Sequence, residues 1–167
     1  MTFFPSAKIV IRDPVHKEKI LLVQRKIQDK IFYEPAGGKV HIDPKSKKAE
    51  TLEECALREA KEELGCTCTI DQYVGSYYFF WSIDRKNCSI CALFLGTLVL
   101  QNPLFQKNED ENELLVTPEW VSIHDILEKK VPIDEEQVGL EKLIIKIIET
   151  IYSDKEQSLV KVSEELN

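Results

Sequence analysis

The sequence contains no long apolar run and no internal repeat, and we expect no signal peptide. None of its apolar stretches approaches the roughly 18 residues that a membrane-spanning helix needs. Residues 1–6 are too few for a signal peptide, and no low-complexity tract interrupts the chain. These absences argue against a membrane-spanning protein and a repeat array. The chain of 167 residues suits one domain with a sizeable core, and we expect it in the cytoplasm.

Basic residues are too few to balance the acidic ones. The chain has 22 lysines and arginines against 29 aspartates and glutamates, which gives a net charge of −7. An acidic protein repels polyanions, so this balance argues against general binding to nucleic acids or to anionic membranes. A negatively charged small substrate would need a metal ion or a local group of arginine and lysine side chains to be admitted.

Cysteine is present in an odd number and without a secretory context. We therefore expect the five cysteines to be reduced thiols. The spacings Cys88-x-x-Cys91 and Cys66-x-Cys68 could suggest zinc, but residues three apart on a strand face opposite sides. Buried small side chains are the plainer interpretation of these cysteines. The three histidines are scattered along the chain, and we expect them at surface or capping positions.

Hydrophobic periodicity predicts a mixed sheet between helices. Two β-rich runs, residues 7–12 and 19–25, flank a polar turn and are expected to pair as a hairpin. Residues 89–100 are apolar nearly throughout, as in a central strand that is covered on both faces. Further strands are expected at residues 32–35, 67–81, 114–116 and 120–123, a helical turn at 124–130 and a long closing helix at 134–152. This order of elements is typical of an α/β fold.

A helix over residues 51–65 organises the chain. Thr51 is expected to be its N-cap, and Glu54, three residues later, completes a capping box. Gly65 is expected to be the left-handed residue that ends the helix. The apolar stripe that should face the core consists of Ala56, Leu57, Ala60 and Leu64.

Another face of this helix is acidic. Glu59, Glu62 and Glu63 stand at i, i+3 and i+4, so their carboxylates should crowd one surface patch. Two of them lie in the last turn, where the helix dipole disfavours an anion by about 0.3–1 kcal/mol. Arg58 could pair with Glu54 or Glu62, but one arginine cannot neutralise three acids. Three converging carboxylates suit Mg²⁺ or Mn²⁺, and a solvated acidic helix face is the alternative.

The residues on either side of the acidic face complete a longer pattern. Seven residues separate Glu50 from the run REAKEELGC at residues 58–66, and Gly37-Gly38 lies upstream in an expected turn. Residues 50–66 resemble, position by position, the second half of the Nudix hydrolase signature. That half consists of Glu, seven residues, and then Arg-Glu-apolar-any-Glu-Glu-any-Gly-apolar.

The first half of the signature departs from the family pattern. Eleven residues lie between Gly38 and Glu50 where the family has five, and Pro44 occupies a position that the family keeps as glycine. We interpret this difference as a six-residue insertion within residues 41–48. The inserted segment is basic, with Lys45, Lys47 and Lys48 close together in an acidic protein. These lysines could raise the affinity for an anionic substrate, and a solvated variable loop is the alternative.

The resemblance to the Nudix hydrolases implies an α/β/α sandwich with a mixed β-sheet over residues 1–152. Residues 153–167 would then be a charged tail that is expected to fray. The resemblance also implies metal-dependent hydrolysis of a diphosphate bond in a nucleoside diphosphate linked to another moiety, with Mg²⁺ or Mn²⁺ as cofactor. The catalytic metal ligands it implies are Glu59, Glu62, Glu63 and the Gly38 carbonyl. The structural supports would be Gly37, Glu50, Arg58 and Gly65. We expect Arg25, at the end of an early strand, and Lys39 to bind the substrate, and an ordinary surface arginine is the alternative for Arg25.

A catalytic residue outside the signature is also expected. Nudix hydrolases often take a base or a further metal ligand from another loop, and in this chain that loop is residues 107–113. Glu113 is the expected catalytic residue, with Glu109 and Glu111 as alternatives. Residues 33–38 are slightly similar to ADP-ribose-type members, so an ADP-ribose-like substrate is one expectation. Nucleoside triphosphates, dinucleoside polyphosphates and coenzyme A stay open.

Two other functions stay open at this point. One is a catalytically silent Nudix-like regulatory module that binds a nucleotide without cleaving it. The other is an interaction protein that uses the fold as a scaffold, with the acidic face merely solvated. The expected partner is a nucleotide-type small molecule rather than a nucleic acid or a membrane, and a homodimer is one option for the oligomeric state.

Overall fold

A mixed β-sheet with helices on both faces organises the protein. The structure is a computed structural model and describes residues 1–27, 30–80, 86–101 and 116–165. Its strands are β1 (Thr2–Arg12), β2 (Lys19–Ile27), β3 (Lys30–Glu34), β4 (Ala36–Lys39), β5 (Ile42–Asp43), β6 (Lys48–Ala49), β7 (Cys66–Phe80), β8 (Asn87–Gln101), β9 (Val116–Ser122) and β10 (Gln137–Val138). Its helices are α1 (Leu52–Leu64), α2 (Ile123–Leu127) and α3 (Leu140–Glu165).

The sheet combines one parallel pair with antiparallel pairs. Within the described residues, eight strands form this sheet, in the main order β10-β7-β8-β1-β2-β3, with β4 paired to β1 and β9 paired to β2. β1 runs parallel to β8, and it forms the expected antiparallel hairpin with β2. β8 lies inside the sheet between β7 and β1, as its apolar sequence predicted. β5 and β6 form a separate two-stranded hairpin.

Two core layers cover the two faces of the sheet. β1 serves both, because alternate residues of a strand face opposite sides: Ile9 packs in the α1 layer and Val10 in the α3 layer. The α1 layer receives Cys55, Ala56, Ala60 and Leu64 from the helix. The α3 layer receives Leu140, Ile144, Ile147, Ile148 and Ile151. The expected α/β/α sandwich with a mixed sheet is therefore confirmed.

The ends of α1 follow the sequence, but its buried stripe is rotated. Thr51 and Glu54 form the capping box, and Gly65 ends the helix in the left-handed conformation with φ 61°. Leu57, which we expected in the core, is 39% exposed, whereas Cys55 is fully buried. The rotation has a physical reason, since Glu63 is drawn into the face that packs on the sheet.

The predicted bounds of the closing helix, residues 134–152, are wrong at both ends. It begins at Leu140 rather than at residue 134, because Gln137 and Val138 pair with the edge of β7 instead. Gly139 then turns the chain with φ 98°, a conformation that other residues rarely adopt. Val138 is consequently 53% exposed and does not belong to the helix stripe. The helix continues past residue 152 to Glu165, where we expected a frayed tail.

Two smaller expectations also need correction. Gly37 and Gly38 lie within strand β4 and not in a turn. The strands expected at 114–116 and 120–123 are one strand over its described part, β9, and the helical turn that follows is α2.

All five cysteines are buried and free of disulfide bonds. In the described part of the chain, no helix has the length and apolar character to span a bilayer.

The α1 cap supports a first prediction about stability. The Thr51 hydroxyl accepts from the Glu54 amide at 3.1 Å, and the Glu54 carboxylate accepts from the Thr51 amide at 2.8 Å. Thr51→Ala should therefore lower the free energy of unfolding by about 1 kcal/mol, measured by urea denaturation. Thr51→Ser keeps the hydroxyl and is the matched control. Equal losses in the two variants would contradict the role of the cap.

Candidate active site

Three glutamates of α1 differ in how far their side chains are exposed to solvent. The side chain of Glu62 is 56% exposed, that of Glu59 is 12% exposed and that of Glu63 is 10% exposed. The helical period of 3.6 residues places Glu63 near the middle of the buried face and Glu62 at its margin. We expected the three carboxylates to crowd one surface patch, but the structure does not place them in one. Glu62 lies on the solvent side of the helix, whereas Glu59 and Glu63 lie on the side that faces β4.

Arg58 binds most of these acids together. One of its nitrogens, Nη1, lies 2.7 Å from Glu59 Oε1 and 2.9 Å from Glu62 Oε2. Its Nε and Nη2 donate to the two oxygens of Glu50 at 2.6 and 3.1 Å, and Nη2 also donates to the Lys39 carbonyl. Hydrogen bonding to Glu50, followed by that to Glu59, raises the pKa of Arg58. Of the two partners expected for Arg58, the structure gives it Glu62, while Glu54 serves the cap.

Glu50 joins the segment after β4 to the helix. Its Oε2 accepts a hydrogen bond from the His41 amide at 2.9 Å, while both oxygens receive Arg58. Hydrogen bonds from Arg58 lower the pKa of Glu50 to about 2. Glu50 is therefore an ionised side chain that connects His41 to Arg58, at a position where the resemblance implied structural support.

The two glycines of β4 let its backbone approach the carboxylates. A Cβ atom on Gly38 would lie 2.3 Å from Glu59 Oε1, and one on Gly37 would lie 2.1 Å from the Ala7 carbonyl. Gly37 has φ 150°, and its amide donates to Glu63 Oε2 at 2.8 Å. A side chain on Gly37 would collide with the backbone of β1, and one on Gly38 would displace the Glu59 carboxylate. The glycines are thus part of the site geometry.

Glu63 is tied to a second arginine. Arg25 Nη2 lies 3.4 Å from Glu63 Oε1, and Arg25 Nε forms an ion pair with Glu34 Oε1. Sequence reasoning proposed Arg25 but missed Glu34 and the buried Lys8 that contacts it. A signal was present, since Lys8 and Glu34 are charged residues next to apolar ones in two expected strands, in the runs AKIV and FYE.

Glu59 is the acid of this group with a raised pKa. Its burial contributes most to the shift, and the neighbouring carboxylates of Glu63 and Glu62 add to it, whereas Arg58 acts in the opposite direction. Burial and like charges both disfavour the ionised form of a carboxyl group. Glu59 is therefore easier to protonate than a solvent-exposed glutamate.

The donor atoms of the site fit a divalent cation. Among the described residues, no three His, Cys, Asp and Glu side chains already converge on one point. However, a single positive nitrogen of Arg58 lies between the oxygens of Glu59 and Glu62. Carboxylate and backbone carbonyl oxygens are the ligands that Mg²⁺ and Mn²⁺ prefer. A metal ion would compete with Arg58 for these oxygens.

The inserted segment folds into the β5–β6 hairpin beside the N-terminal part of α1. An open cavity of about 800 Å³ lies between them, lined by Lys39, Val40, His41, Ile42, Asp43, Lys48, Ala49, Glu50 and Glu54. Lys48 is the one inserted lysine that lines this cavity, whereas Lys45 and Lys47 are exposed on the turn of the hairpin. The insertion therefore forms one side of a cavity next to Glu50. Glu50 in turn contacts Arg58, which binds Glu59 and Glu62.

One more expected site residue, Lys39, is on the side of β4 that faces away from the acidic side chains. Lys39 holds its ammonium 4.4 Å from the centre of the Phe4 ring. Because successive residues of a strand face opposite sides, the Lys39 side chain lies on the other face of β4 from Gly38 and Glu59. Glu113, together with its alternatives in the loop 107–113, lies outside the described residues.

Comparison with known families decides the classification of the chain. The model of the NUDIX domain matches residues 2–140, which is most of the sequence. The chain belongs to the Nudix family. The resemblance drawn from residues 50–66 is thereby confirmed, and it extends well beyond the signature.

Solved structures agree with this family. A NUDIX hydrolase from Nitrosomonas europaea matches with a TM-score of 0.65 and 19% identity, over 89% of this chain and 90% of the other. A MutT protein from Methanosarcina mazei Go1 matches with a TM-score of 0.62 and 22% identity, over 89% and 94%. A UDP-X diphosphatase matches with a TM-score of 0.60 and 16% identity, over 93% and 65%. At these identities the likeness shows a shared fold.

A search of curated protein sequences gives no match to this chain. Membership of the Nudix family therefore rests on the domain match, with the structural neighbours in support. Nudix proteins of this kind are pyrophosphohydrolases that act on nucleotide-type substrates, and the protein is an enzyme of that class.

The Glu50–Arg58 pair predicts how stability depends on pH. The pKa of Glu50 is about 2 in the folded protein, below its ordinary value of 4.5. Its contribution is therefore complete above the ordinary value and is lost as pH falls through the folded one. The difference in Tm between the wild type and Glu50→Gln should be largest above about pH 5 and shrink towards about pH 2. A difference that stays constant across this range would contradict the assigned ion pair.

Proposed function

We propose that this Nudix enzyme hydrolyses the diphosphate bond of a nucleoside diphosphate linked to another moiety, with a divalent cation as cofactor. One observation carries the proposal. The glutamates of the acidic face become more buried in the order Glu62, Glu59, Glu63. Glu59 and Glu63 lie against the glycines of β4. A solvated acidic face would not need two glycines, a buried carboxylate and two arginine partners.

We assign metal binding to Glu59, Glu62, Glu63 and the Gly38 carbonyl. The Gly38 carbonyl accepts from the Cys55 thiol at 3.5 Å, and a thiol is a weak donor that leaves the oxygen able to bind a cation. A divalent cation held by these oxygens would supply positive charge to offset that of the phosphates and would lower the pKa of water.

The remaining side chains would hold and orient the reactants. Arg58 and Glu50 fix the N-terminal half of α1 to the segment after β4. Arg25 is 28% exposed beside Glu63, and its planar fork suits two oxygens of a phosphate. For the base that takes a proton from water we propose Glu113. Glu59, whose pKa is raised, is the alternative.

The second moiety is the finer part of the proposal. The similarity of residues 33–38 to ADP-ribose-type members makes an ADP-ribose-like compound the first to test. The structural likeness to a UDP-X diphosphatase is a reason to include UDP-linked compounds. Nucleoside triphosphates, dinucleoside polyphosphates and coenzyme A complete the panel, with products read by chromatography in the presence of Mg²⁺ or Mn²⁺.

Glu62→Gln tests the metal site most cleanly, because this side chain is the most exposed of the three. We expect kcat on the best substrate to fall by about two orders of magnitude, equivalent to roughly 3 kcal/mol. Calorimetric titration with Mn²⁺ should show weaker binding, while the fold survives.

The matched control is Glu53→Gln, an exposed glutamate in the first turn of the same helix. It should keep both turnover and Mn²⁺ affinity. Full activity in Glu62→Gln would reject the metal assignment. Nucleotide binding by the wild type without any product would instead favour the silent regulatory module.

The inserted lysines give a prediction about substrate affinity. Replacing Lys45, Lys47 and Lys48 by Ser should raise KM and leave kcat nearly intact, because these exposed side chains attract an anion without touching the reacting bond. The effect should be larger at about 10 mM ionic strength, where the Debye length is roughly 30 Å, than at high salt.

A second triple variant controls for net charge. Lys17, Lys130 and Lys142 are exposed and lie outside the hairpin, so their replacement by Ser removes the same total charge. Steady-state kinetics at several salt concentrations should then show a smaller rise in KM. If the two triple variants behave alike, the hairpin has no local electrostatic role.

A further inference from the structure

A buried polar cluster lies where the sheet divides between the β1–β4 pair and the β2–β3 pair. Its centre is Glu34, the last residue of β3, which is 3% exposed. Glu34 Oε2 accepts from Lys8 Nζ at 3.3 Å and from the side-chain amide of Gln137. Glu34 Oε1 pairs with Arg25 Nε. One carboxylate thus receives two hydrogen bonds and forms one ion pair, with partners from three different strands.

The cluster is held in one arrangement by its hydrogen bonds. The Tyr77 hydroxyl donates to Gln137 Oε1 at 2.8 Å, so the amide nitrogen of Gln137 is the group that faces Glu34. Lys8 and Gln137 are both buried, and their removal from water is costly unless their polar atoms are paired. Hydrogen bonds between buried polar groups favour one geometry over others. Glu34 therefore has little freedom to rotate.

Arg25 extends this rigid cluster towards the proposed active site. In the antiparallel register of β2 and β3, Glu34 lies opposite Val23, which makes Arg25 its diagonal neighbour on the next strand. Glu34 engages Arg25 through Nε, and Arg25 Nη2 reaches Glu63 Oε1 at 3.4 Å. Arginine has a planar group with donors in a fixed fork. Holding Nε therefore sets the direction of the terminal nitrogens.

We propose that Glu34 is a positioning residue, which holds Arg25 so that its terminal guanidinium nitrogens face a substrate phosphate beside Glu63. The inference rests on the proposed function, which assigns a phosphate to Arg25. Lys8, Gln137 and, through Gln137, Tyr77 fix the carboxylate of Glu34 in turn. A purely structural Glu34 would contribute to stability alone, and its effect on kinetics would not depend on Arg25.

A double-mutant cycle in the full chain tests this dependence. Glu34→Gln should raise KM about tenfold, the loss expected when one hydrogen bond to a charged group is removed, with kcat changed much less. Arg25→Ala should raise KM at least as much. The double variant should match Arg25→Ala, because Glu34 then has no arginine left to position. Tm is measured in parallel to confirm that each variant is folded.

Asp71→Asn is the matched control, since it breaks another half-buried pair, Arg12 Nη2 to Asp71 Oδ2 at 3.1 Å. It should lower Tm without changing KM. If Glu34→Gln does not fold, Tyr77→Phe removes only the hydroxyl that orients Gln137, and its smaller rise in KM should likewise disappear in the Arg25→Ala background.

The outcomes separate the two proposals. Effects of Glu34 and Arg25 that multiply in the double variant would overturn the positioning role and leave the proposed hydrolysis intact. An unchanged KM in Arg25→Ala would overturn the phosphate contact and the positioning role together. An inactive wild-type protein across the whole diphosphate panel would overturn the proposed function itself.

Discussion

The structure of the site depends on the close approach of β4 to α1. That approach is possible because Gly37 and Gly38 have no side chains between the strand and its neighbours. It brings the Gly37 amide within 2.8 Å of Glu63 and the Gly38 backbone against the Glu59 carboxylate. A backbone amide at this distance gives a buried carboxylate the partner it needs. Without this approach, Glu63 would lose its backbone hydrogen bond from Gly37.

Two arginines distribute positive charge across an otherwise acidic surface. Arg58, on the helix, joins Glu50, Glu59 and Glu62. Arg25, on the sheet, joins Glu63 to Glu34. The carboxylates are thus held by arginines on two sides, and this arrangement suits a site where mutual repulsion must be contained until a cation and a phosphate arrive.

The insertion is accommodated without disturbing this arrangement. Ile42 pairs with Ala49 in the hairpin, and the Glu50 amide donates to the His41 carbonyl at 3.0 Å. These contacts bring the ends of the inserted segment together just before the capping box of α1. Because extra loop length costs little entropy once the ends are closed, the helix begins as it would after a shorter connection.

The local sequence by itself determined the ends of α1, the first hairpin, the central strand and the family signature, because capping residues, β-rich runs and residue spacing act over a few positions. A mixed sheet between helices followed from the order of these elements, and the resemblance to the Nudix hydrolases implied the α/β/α sandwich. Tertiary structure alone decided which way each carboxylate faces, since spacing on a helix does not reveal where the sheet lies. It also decided the edge pairing of Gln137 and Val138, which displaced the start of α3 to Leu140. The sequence marks Lys8 and Glu34 as charged residues beside apolar ones, but it does not show that they meet. Lys8, Arg25, Glu34 and Gln137 come from different strands, and only strand register and burial bring them together.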